Sequence, residues 1–221
     1  MYLVHTPQII QSLFPRFTWR MPSDEKVVHL TFDDGPIPEV TPWVLEQLDR
    51  YDAKATFFCV GHNVDKHPDV YEQVVEAGHL TGNHTYHHLD GWNTDNITYF
   101  HNIRKAARKV NSNLFRPPYG RILPSQAQFL KRHYQVVLWD VLSGDFDPAL
   151  SPEDCLNNVL RHVRPGSIVV FHDSLKTMKT LQYVLPRVLA HLDAQGYRFE
   201  VVPQTVEAEP VAAPVPVLQP A

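Results

Sequence analysis

Short apolar runs alternate with longer stretches of helical spacing along most of this chain. Strand-like runs rich in β-branched and aromatic residues occupy positions 27–32, 55–61, 79–84, 114–117, 135–140, 167–172 and 198–202. Stretches with apolar residues at intervals of three and four occupy positions 40–51, 68–77, 97–110, 125–133, 152–163 and 178–195. This alternation predicts an α/β fold of repeated βα units around a parallel sheet.

Two architectures fit this order, a closed βα barrel and an open, doubly wound sheet. The length of 221 residues and the regular alternation favour the barrel and a single domain. We assign positions 1–26 to an amino-terminal extension and positions 27–202 to the domain. Positions 203–221 are rich in Pro, Ala and Val without helical or strand period, and we assign them to a tail.

The composition excludes several classes of partner. The formal net charge is −4 with both signs interspersed, so nothing indicates a surface for nucleic acid or an anionic membrane. No stretch is long enough to span a membrane. Cys59 and Cys155 lie in apolar runs and make no disulfide framework or zinc-thiolate motif. The first residues lack a secretory signal, so we expect the chain to stay inside the cell unless a leader is missing. Separately, we expect the protein to be a monomer.

The first predicted strand ends in two adjacent carboxylates, Asp33 and Asp34, directly before Gly35 and Pro36. Neighbouring side chains on extended backbone point in opposite directions, so the two carboxylates can take different roles. One could bind a metal ion while the other moves a proton. The alternative is ordinary turn chemistry, because Asp-Gly-Pro sequences form turns without any catalytic role.

Further polar residues follow the ends of other predicted strands, where a βα barrel builds its active site. These residues are His84, Arg116, Tyr119, Asp140, Asp145 and His172. Because the carboxyl ends of parallel strands converge on one face, we expect them to form one site together with the Asp pair.

His84 and His88 are four residues apart, a spacing that places both imidazoles on one side of a helical turn. With one carboxylate they make a set typical of zinc hydrolases and of non-haem iron enzymes, although no redox co-substrate site is evident. His87 could also reach such an ion. The chain has 13 histidines, and those interpreted as unrelated to the site are His5, His62, His67 and His101.

The remaining candidates each have a functional and a structural interpretation. Arg116 could hold a carboxylate, and the N–H groups after the following prolines could face a developing oxyanion, or the segment is only a stiff loop. Asp140 or Asp145 could orient a histidine, or could cap a turn. His172 suits general acid chemistry, although a histidine satisfied in the core is the more typical interpretation when this residue is taken alone.

In their order along the chain, these motifs resemble those of the polysaccharide deacetylases of carbohydrate esterase family 4, the NodB-homology domain. The resemblance extends over positions 27–202 and five motifs. It implies an incomplete, distorted (β/α)7-type barrel, which is TIM-like. It also implies a hydrolase that releases acetate from N-acetyl groups of an amino-sugar polymer or oligosaccharide that is chitin-, chitooligosaccharide- or peptidoglycan-like.

The resemblance also implies a role for each matched residue. Asp33 would be the catalytic base held by Arg116, and the Tyr119 N–H would stabilise the oxyanion. His172, oriented by Asp145, would be the acid. The implied metal ligands are Asp34, His84 and His88, for a divalent ion that is Zn²⁺ first, with Co²⁺ or Ni²⁺ as alternatives.

Three positions depart from the family pattern. Phe146 replaces the usual Trp, Val170 replaces Leu, and Leu142 replaces the first Asp of the fourth motif unless Asp140 substitutes for it. These changes leave two alternatives open. The same fold could act on another non-peptide C–N bond, such as a formyl group on a lipid-linked sugar or a small cyclic amide. The chain could also be a catalytically silent carbohydrate-binding barrel.

Overall fold

The computed structural model describes residues 2–204 and contains one parallel sheet. Its strands are β1 (Val27–Asp33), β2 (Thr56–Cys59), β3 (Leu80–Asn83), β4 (Leu114–Phe115), β5 (Gln135–Val136), β6 (Val141–Leu142), β7 (Ser167–His172) and β8 (Arg198–Phe199). Seven follow the order β5-β4-β3-β2-β1-β7-β6, and β8 pairs with the start of β1. The result is a curled, incomplete (β/α)7-type barrel, as predicted.

Helices connect most of the successive strands, except β5 and β6, and one helix precedes β1. The helices are α1 (Gln8–Leu13), α2 (Thr41–Asp49), α3 (Gly61–Lys66), α4 (Pro68–Glu76), α5 (Asn96–Ala107), α6 (Pro124–Leu130), α7 (Pro152–Leu160) and α8 (Met178–Ala194), with a 3₁₀ turn at Pro118–Gly120. Proline in the first turn starts four of them, α2, α4, α6 and α7, where its missing N–H costs no hydrogen bond. Side-chain caps start two, Asp95 before α5 and Ser151 before α7.

The core lies around β1 and the strands on either side of it, β2 and β7. Every residue of β1 is buried, as is typical of a parallel strand covered on both faces. Phe32 stacks between Phe57 and Phe171, with ring centroids 5.0 and 5.8 Å away. Since these strands are packed on both faces, the side chains at their carboxyl ends are held by a rigid scaffold.

The amino-terminal extension lies along both edges of this open barrel. Thr18 forms a parallel bridge with Val137, directly after β5, and His5 forms an antiparallel bridge with Val141 in β6. The N–H of Leu142 donates to the Val4 carbonyl at 2.8 Å. In residues 2–204, therefore, the backbone groups of both edge strands find partners in the extension.

Every predicted helix forms and every predicted strand run contains a strand, but two details of the prediction were wrong. The single run predicted at 135–140 is split into β5 and β6, which lie at opposite edges of the sheet. Two short helices, α1 and α3, were not predicted. No helix in residues 2–204 is long and apolar enough to cross a membrane. The predicted tail lies outside the described residues after position 204.

Candidate active site

A cavity of about 1010 Å³ opens at the carboxyl ends of the strands. Six of the sequence-predicted site residues line it: Asp33, Asp34, His84, His88, Tyr119 and His172. The other two, Arg116 and Asp145, lie directly behind and hold lining residues by hydrogen bonds. The structure therefore brings together all eight residues to which the family resemblance assigned a role, but the expectation that Asp140 would join them was wrong.

Asp33 is held by a buried guanidinium. Its Oδ1 accepts a hydrogen bond from Arg116 Nη1 at 2.7 Å, and the side chain of Arg116 is fully buried. Arg116 also donates to Thr31 Oγ1 at 2.7 Å and to the carbonyls of Val137 and Leu138 at 3.2 and 3.1 Å. Because the guanidinium is fixed by these partners, it holds one carboxylate oxygen of Asp33 in a single orientation.

Asp34, His84 and His88 form a candidate metal centre. Each offers one ligand atom, and the three atoms lie within 4.8 Å of one another. Asp34 Oδ1 is 3.9 Å from His84 Nε2 and 3.1 Å from His88 Nε2. This buried oxygen has no well-aligned hydrogen-bond donor, with His88 Nε2 only in ion-pair contact at 3.1 Å, as expected of an atom that would bind a cation. The nitrogen and oxygen donors fit a divalent transition metal.

The protonation states of these ligands also suit a metal. His84 Nδ1–H donates to the Arg116 carbonyl at 2.8 Å, so the lone pair lies on Nε2. Burial lowers the pKa of His84 to about 4 despite the nearby Asp33, which keeps the ring neutral. Burial alone would raise the pKa of Asp34, but the rings of His88 and His172 lower it below its usual range. Asp34 is therefore an anion, as a candidate metal ligand should be.

Left-handed backbone is concentrated in the loops of this site. Five non-glycine residues in the described chain have positive φ, and four belong here: Asp34 (84°), Thr85 (60°), His88 (55°) and Tyr119 (60°). The prediction of a helical turn between His84 and His88 was wrong, because the chain passes through an irregular loop after β3. The imidazoles still converge, with ring centroids 5.0 Å apart.

His172 and Asp145 form a hydrogen-bonded pair. His172 Nδ1 donates to Asp145 Oδ1 at 2.8 Å, and the His172 backbone N–H donates to Oδ2 at 2.8 Å. Burial alone would lower the pKa of His172, but the carboxylate of Asp145 raises it to about 9. At neutral pH the ring is a cation whose Nε2–H is left for the cavity. A divalent ion bound nearby would lower this pKa.

Tyr119 lies at the rim of the cavity rather than in the core. Its side chain is exposed, and its ring meets that of His88 edge-on with centroids 4.7 Å apart. The hydrogen bonds of its 3₁₀ turn are donated by Gly120 and Arg121, which leaves the Tyr119 N–H outside them. An N–H of this kind can serve as a donor for a developing oxyanion.

Two candidates left open by the sequence lie outside this chemistry. Asp140 accepts hydrogen bonds from Ser167 Oγ at 3.0 Å and from the Ile168 N–H at 2.9 Å, at the amino end of β7. It therefore does not substitute for the motif Asp at position 142. His87 lines the cavity but is not part of the three-residue ligand group, and its Nδ1 lies 3.0 Å from Asn102 Nδ2.

Asp173 is a site residue that sequence reasoning missed. It is fully buried, and it accepts hydrogen bonds from the Gly35 N–H at 3.1 Å and from Thr41 Oγ1 at 2.5 Å. Burial raises its pKa to about 8. A Cβ on Gly35 would lie 2.0 Å from Asp173 Oδ2, so the turn after Asp34 fits closely against this carboxyl group. The only signal was its place directly after the predicted acid.

The family assignment follows from comparison with known proteins. A family model described as polysaccharide deacetylase matches residues 20–136. The chain belongs to the polysaccharide deacetylase family. The family model stops matching this deacetylase before Asp145 and His172. That pair is therefore supported by its geometry and not by the family model.

Named relatives of this deacetylase extend the comparison over most of the chain. A peptidoglycan-N-acetylglucosamine deacetylase of Bacillus cereus is 38% identical over 193 residues, 84% of this chain and 90% of that protein. A chitooligosaccharide deacetylase of Azorhizobium caulinodans is 29% identical over 207 residues, 83% of this chain and 96% of that protein. The crystal structure of the Bc1960 peptidoglycan N-acetylglucosamine deacetylase superposes with a TM-score of 0.82 at 30% identity, covering 92% of this chain and 98% of that one.

Proposed function

We propose that this deacetylase is a metal-dependent hydrolase that removes N-acetyl groups from an amino-sugar polymer or oligosaccharide, releasing acetate. The observation that carries the proposal is one cavity that combines a fixed carboxylate, a candidate three-residue ligand set and a histidine paired with a buried carboxylate. Relatives named for peptidoglycan and for chitooligosaccharides make these two glycan classes the first candidates.

The residues present fit a metal ion. Asp34, His84 and His88 would hold it, with Zn²⁺ as the first candidate because this ion takes imidazole and carboxylate ligands and can keep a position open. Co²⁺ and Ni²⁺ suit the same donors. A divalent ion bound there would polarise the acetamide carbonyl and make water more acidic.

The side chains around the ligand set divide the proton transfers between them. Asp33, fixed by Arg116, takes a proton from the water whose oxygen attacks the acetamide carbonyl carbon. The negative charge that develops on the carbonyl oxygen faces the Tyr119 N–H. As the C–N bond breaks, His172 gives its Nε2 proton to the departing nitrogen. The elements of water are thereby added across the C–N bond, and the products are acetate and a free amine.

The test combines acetate release with metal analysis. Substrates are N-acetylglucosamine oligomers and peptidoglycan, with N-formyl sugars and small cyclic amides screened by mass spectrometry. We expect Asp33→Asn to lower turnover roughly 10²- to 10⁴-fold, as for loss of a general base, with its metal retained. Metal-loaded wild-type protein that releases no acetate from any N-acetylated glycan would disprove the proposed function.

The assignment of His84 and His88 as metal ligands is tested by separate variants. Replacing His84 and His88 together by Ala should remove both the metal and the activity. The matched control replaces His67 and His101, which lie outside the cavity, by Ala and should keep both. If the first double variant retains stoichiometric zinc, the ligand assignment is wrong.

A further inference from the structure

We propose that Tyr2, in the amino-terminal extension, is a substrate-binding residue that selects glycan chains long enough to reach it. This inference rests on the proposed deacetylase function. Tyr2 lines the same cavity as the metal ligands and His172, although it lies far from them in the sequence.

The position of Tyr2 is fixed by the pairing of the extension with β6. The Leu142 N–H donates to the Val4 carbonyl at 2.8 Å, and the Thr6 N–H donates to the Asp140 carbonyl at 2.9 Å. His5, between them, forms the antiparallel bridge with Val141. This pairing places Tyr2 beside the loop that follows β6, where its ring contacts Phe146 and its hydroxyl reaches Asp147.

Aromatic rings lead outward from His172 to Tyr2. The Phe146 ring meets His172 edge-on with centroids 5.2 Å apart, and the Tyr2 ring lies 5.1 Å beyond, against Phe146. Tyr2 and Phe146 remain 36% and 42% exposed, so part of each ring is available to a ligand. Together they form an apolar wall that begins at the proposed acid and ends at the cavity rim.

The Tyr2 ring is also restrained before any ligand arrives. Its hydroxyl donates to Asp147 Oδ2 at 2.7 Å, and burial together with this carboxylate raises the pKa of Tyr2 above its usual value. A Cβ on Gly144 would lie 3.2 Å from the Tyr2 hydroxyl oxygen and 2.8 Å from a Leu150 methyl carbon, so the loop closely accommodates the side chain. A ring that is already ordered loses little conformational entropy on binding.

The chemistry of this wall suits one face of a pyranose ring, whose C–H groups are apolar while its hydroxyls point outward. A sugar whose acetamido group meets His172 would contact Phe146. The next sugar toward the rim would contact Tyr2. Tyr2 should therefore affect long substrates and leave the shortest ones unaffected.

The experiment measures kcat and KM for acetate release from the monomer and the hexamer of N-acetylglucosamine, with any purification tag on the carboxyl-terminal side. We expect Tyr2→Ala to raise KM for the hexamer roughly tenfold, the loss typical of one aromatic contact, with kcat and the monomer KM within about twofold. Tyr2→Phe keeps the ring and should stay near wild type. Tyr183→Ala is the matched control, because Tyr183 makes a comparable hydrogen bond to Glu153 at 2.6 Å outside the cavity.

Two outcomes would overturn the inference. One is an unchanged ratio of hexamer to monomer KM in Tyr2→Ala. The other is an equal fall of kcat for both lengths, because Tyr2 would then act only by supporting the loop that carries Asp145. Calorimetric binding of the hexamer to Asp33→Asn protein, with and without Tyr2→Ala, separates this inference from the proposed function. Weaker hexamer binding upon removal of the Tyr2 ring supports the inference even where turnover is absent, and unchanged binding rejects it.

Discussion

At the end of β1, adjacent carboxylates meet different surroundings. Asp33 is the last residue of the strand and pairs with the buried Arg116, whereas the backbone of Asp34 is in the left-handed conformation with φ 84°. The sequence indicated that the two side chains diverge, but it assigned the divergence to extended backbone alone. The conformation of Asp34 depends on Gly35 packing against Asp173, a contact between distant segments that no local pattern reports.

The Asp145–His172 pair gives a prediction of pH dependence. His172 must be protonated to donate, so the rate falls as pH rises through its pKa, which Asp145 raises against the effect of burial. Asp145→Asn removes that charge and lowers the pKa. The alkaline limb of kcat/KM, measured from pH 5 to 10, should therefore move to lower pH by at least about one unit.

Asp193→Asn, at an exposed position near the end of α8, serves as the control and should leave the limb in place. An alkaline limb that does not move in Asp145→Asn would mean that another group supplies the proton.

Among the elements, the loops after the strands carry most of the chemistry. The spacing of His84 and His88 correctly predicted that the imidazoles converge, but not the irregular loop that brings them together. The spacing of His84 and His88 in the sequence limits how far apart their side chains can lie. The path of the backbone between them depends on residues in the left-handed conformation such as Thr85, a β-branched residue that rarely adopts it. The two-residue strands β4, β5 and β6 are likewise too short to show a period.

The turn between β1 and α2 can be tested by Gly35→Ala. The added Cβ would overlap the Asp173 carboxyl group, so we expect the free energy of unfolding to fall by about 1–3 kcal/mol, as for other overpacked sites. Because the same turn carries Asp34, affinity for zinc should fall as well. Urea unfolding and zinc titration measure the two effects.

The control for this prediction is a double-mutant cycle with Asp173→Ala, which removes the overlapping atoms. The destabilisation by Gly35→Ala should be smaller in that background. Additive effects of the two substitutions would contradict the proposed contact.

For the whole molecule, the order of strands and helices followed from periodicity, because most elements are long enough to show it. The incomplete barrel was expected only from the family resemblance. The pairing of the extension with both sheet edges could not be predicted, since Thr18 and His5 form isolated bridges without a strand pattern. Asp173 shows the same limit in the site, because its role depends on a packing contact.

Stability of the whole fold should depend on pH through His79. Burial lowers its pKa to about 4, and its Nδ1 accepts a hydrogen bond from the Ala55 N–H at 3.2 Å, which requires the neutral ring. An unfolded histidine titrates near pH 6.5, so the unfolded state binds more protons between these values and stability is lost as pH falls through this window. The full loss is on the order of 3 kcal/mol.

His79→Gln keeps an acceptor for Ala55 but does not titrate. Urea unfolding at pH 7.5 and 4.5 should therefore show a smaller loss of stability in this variant than in wild type. Equal losses in the two proteins would rule out His79 as a contributor.

The left-handed residues around the cavity have a consequence for the energy of the fold. Each such non-glycine residue costs roughly 1–2 kcal/mol relative to ordinary backbone, so the catalytic loops are the part of the protein where stability and activity oppose each other. His88→Asn replaces a proposed metal ligand with a residue that tolerates φ near 55° more readily. In metal-free protein we expect this inactive variant to melt at a higher temperature than wild type, and scanning calorimetry can measure the difference. Within the described residues, a map of positive φ values at non-glycine positions marks the surroundings of the cavity four times and only one position elsewhere, Asp52.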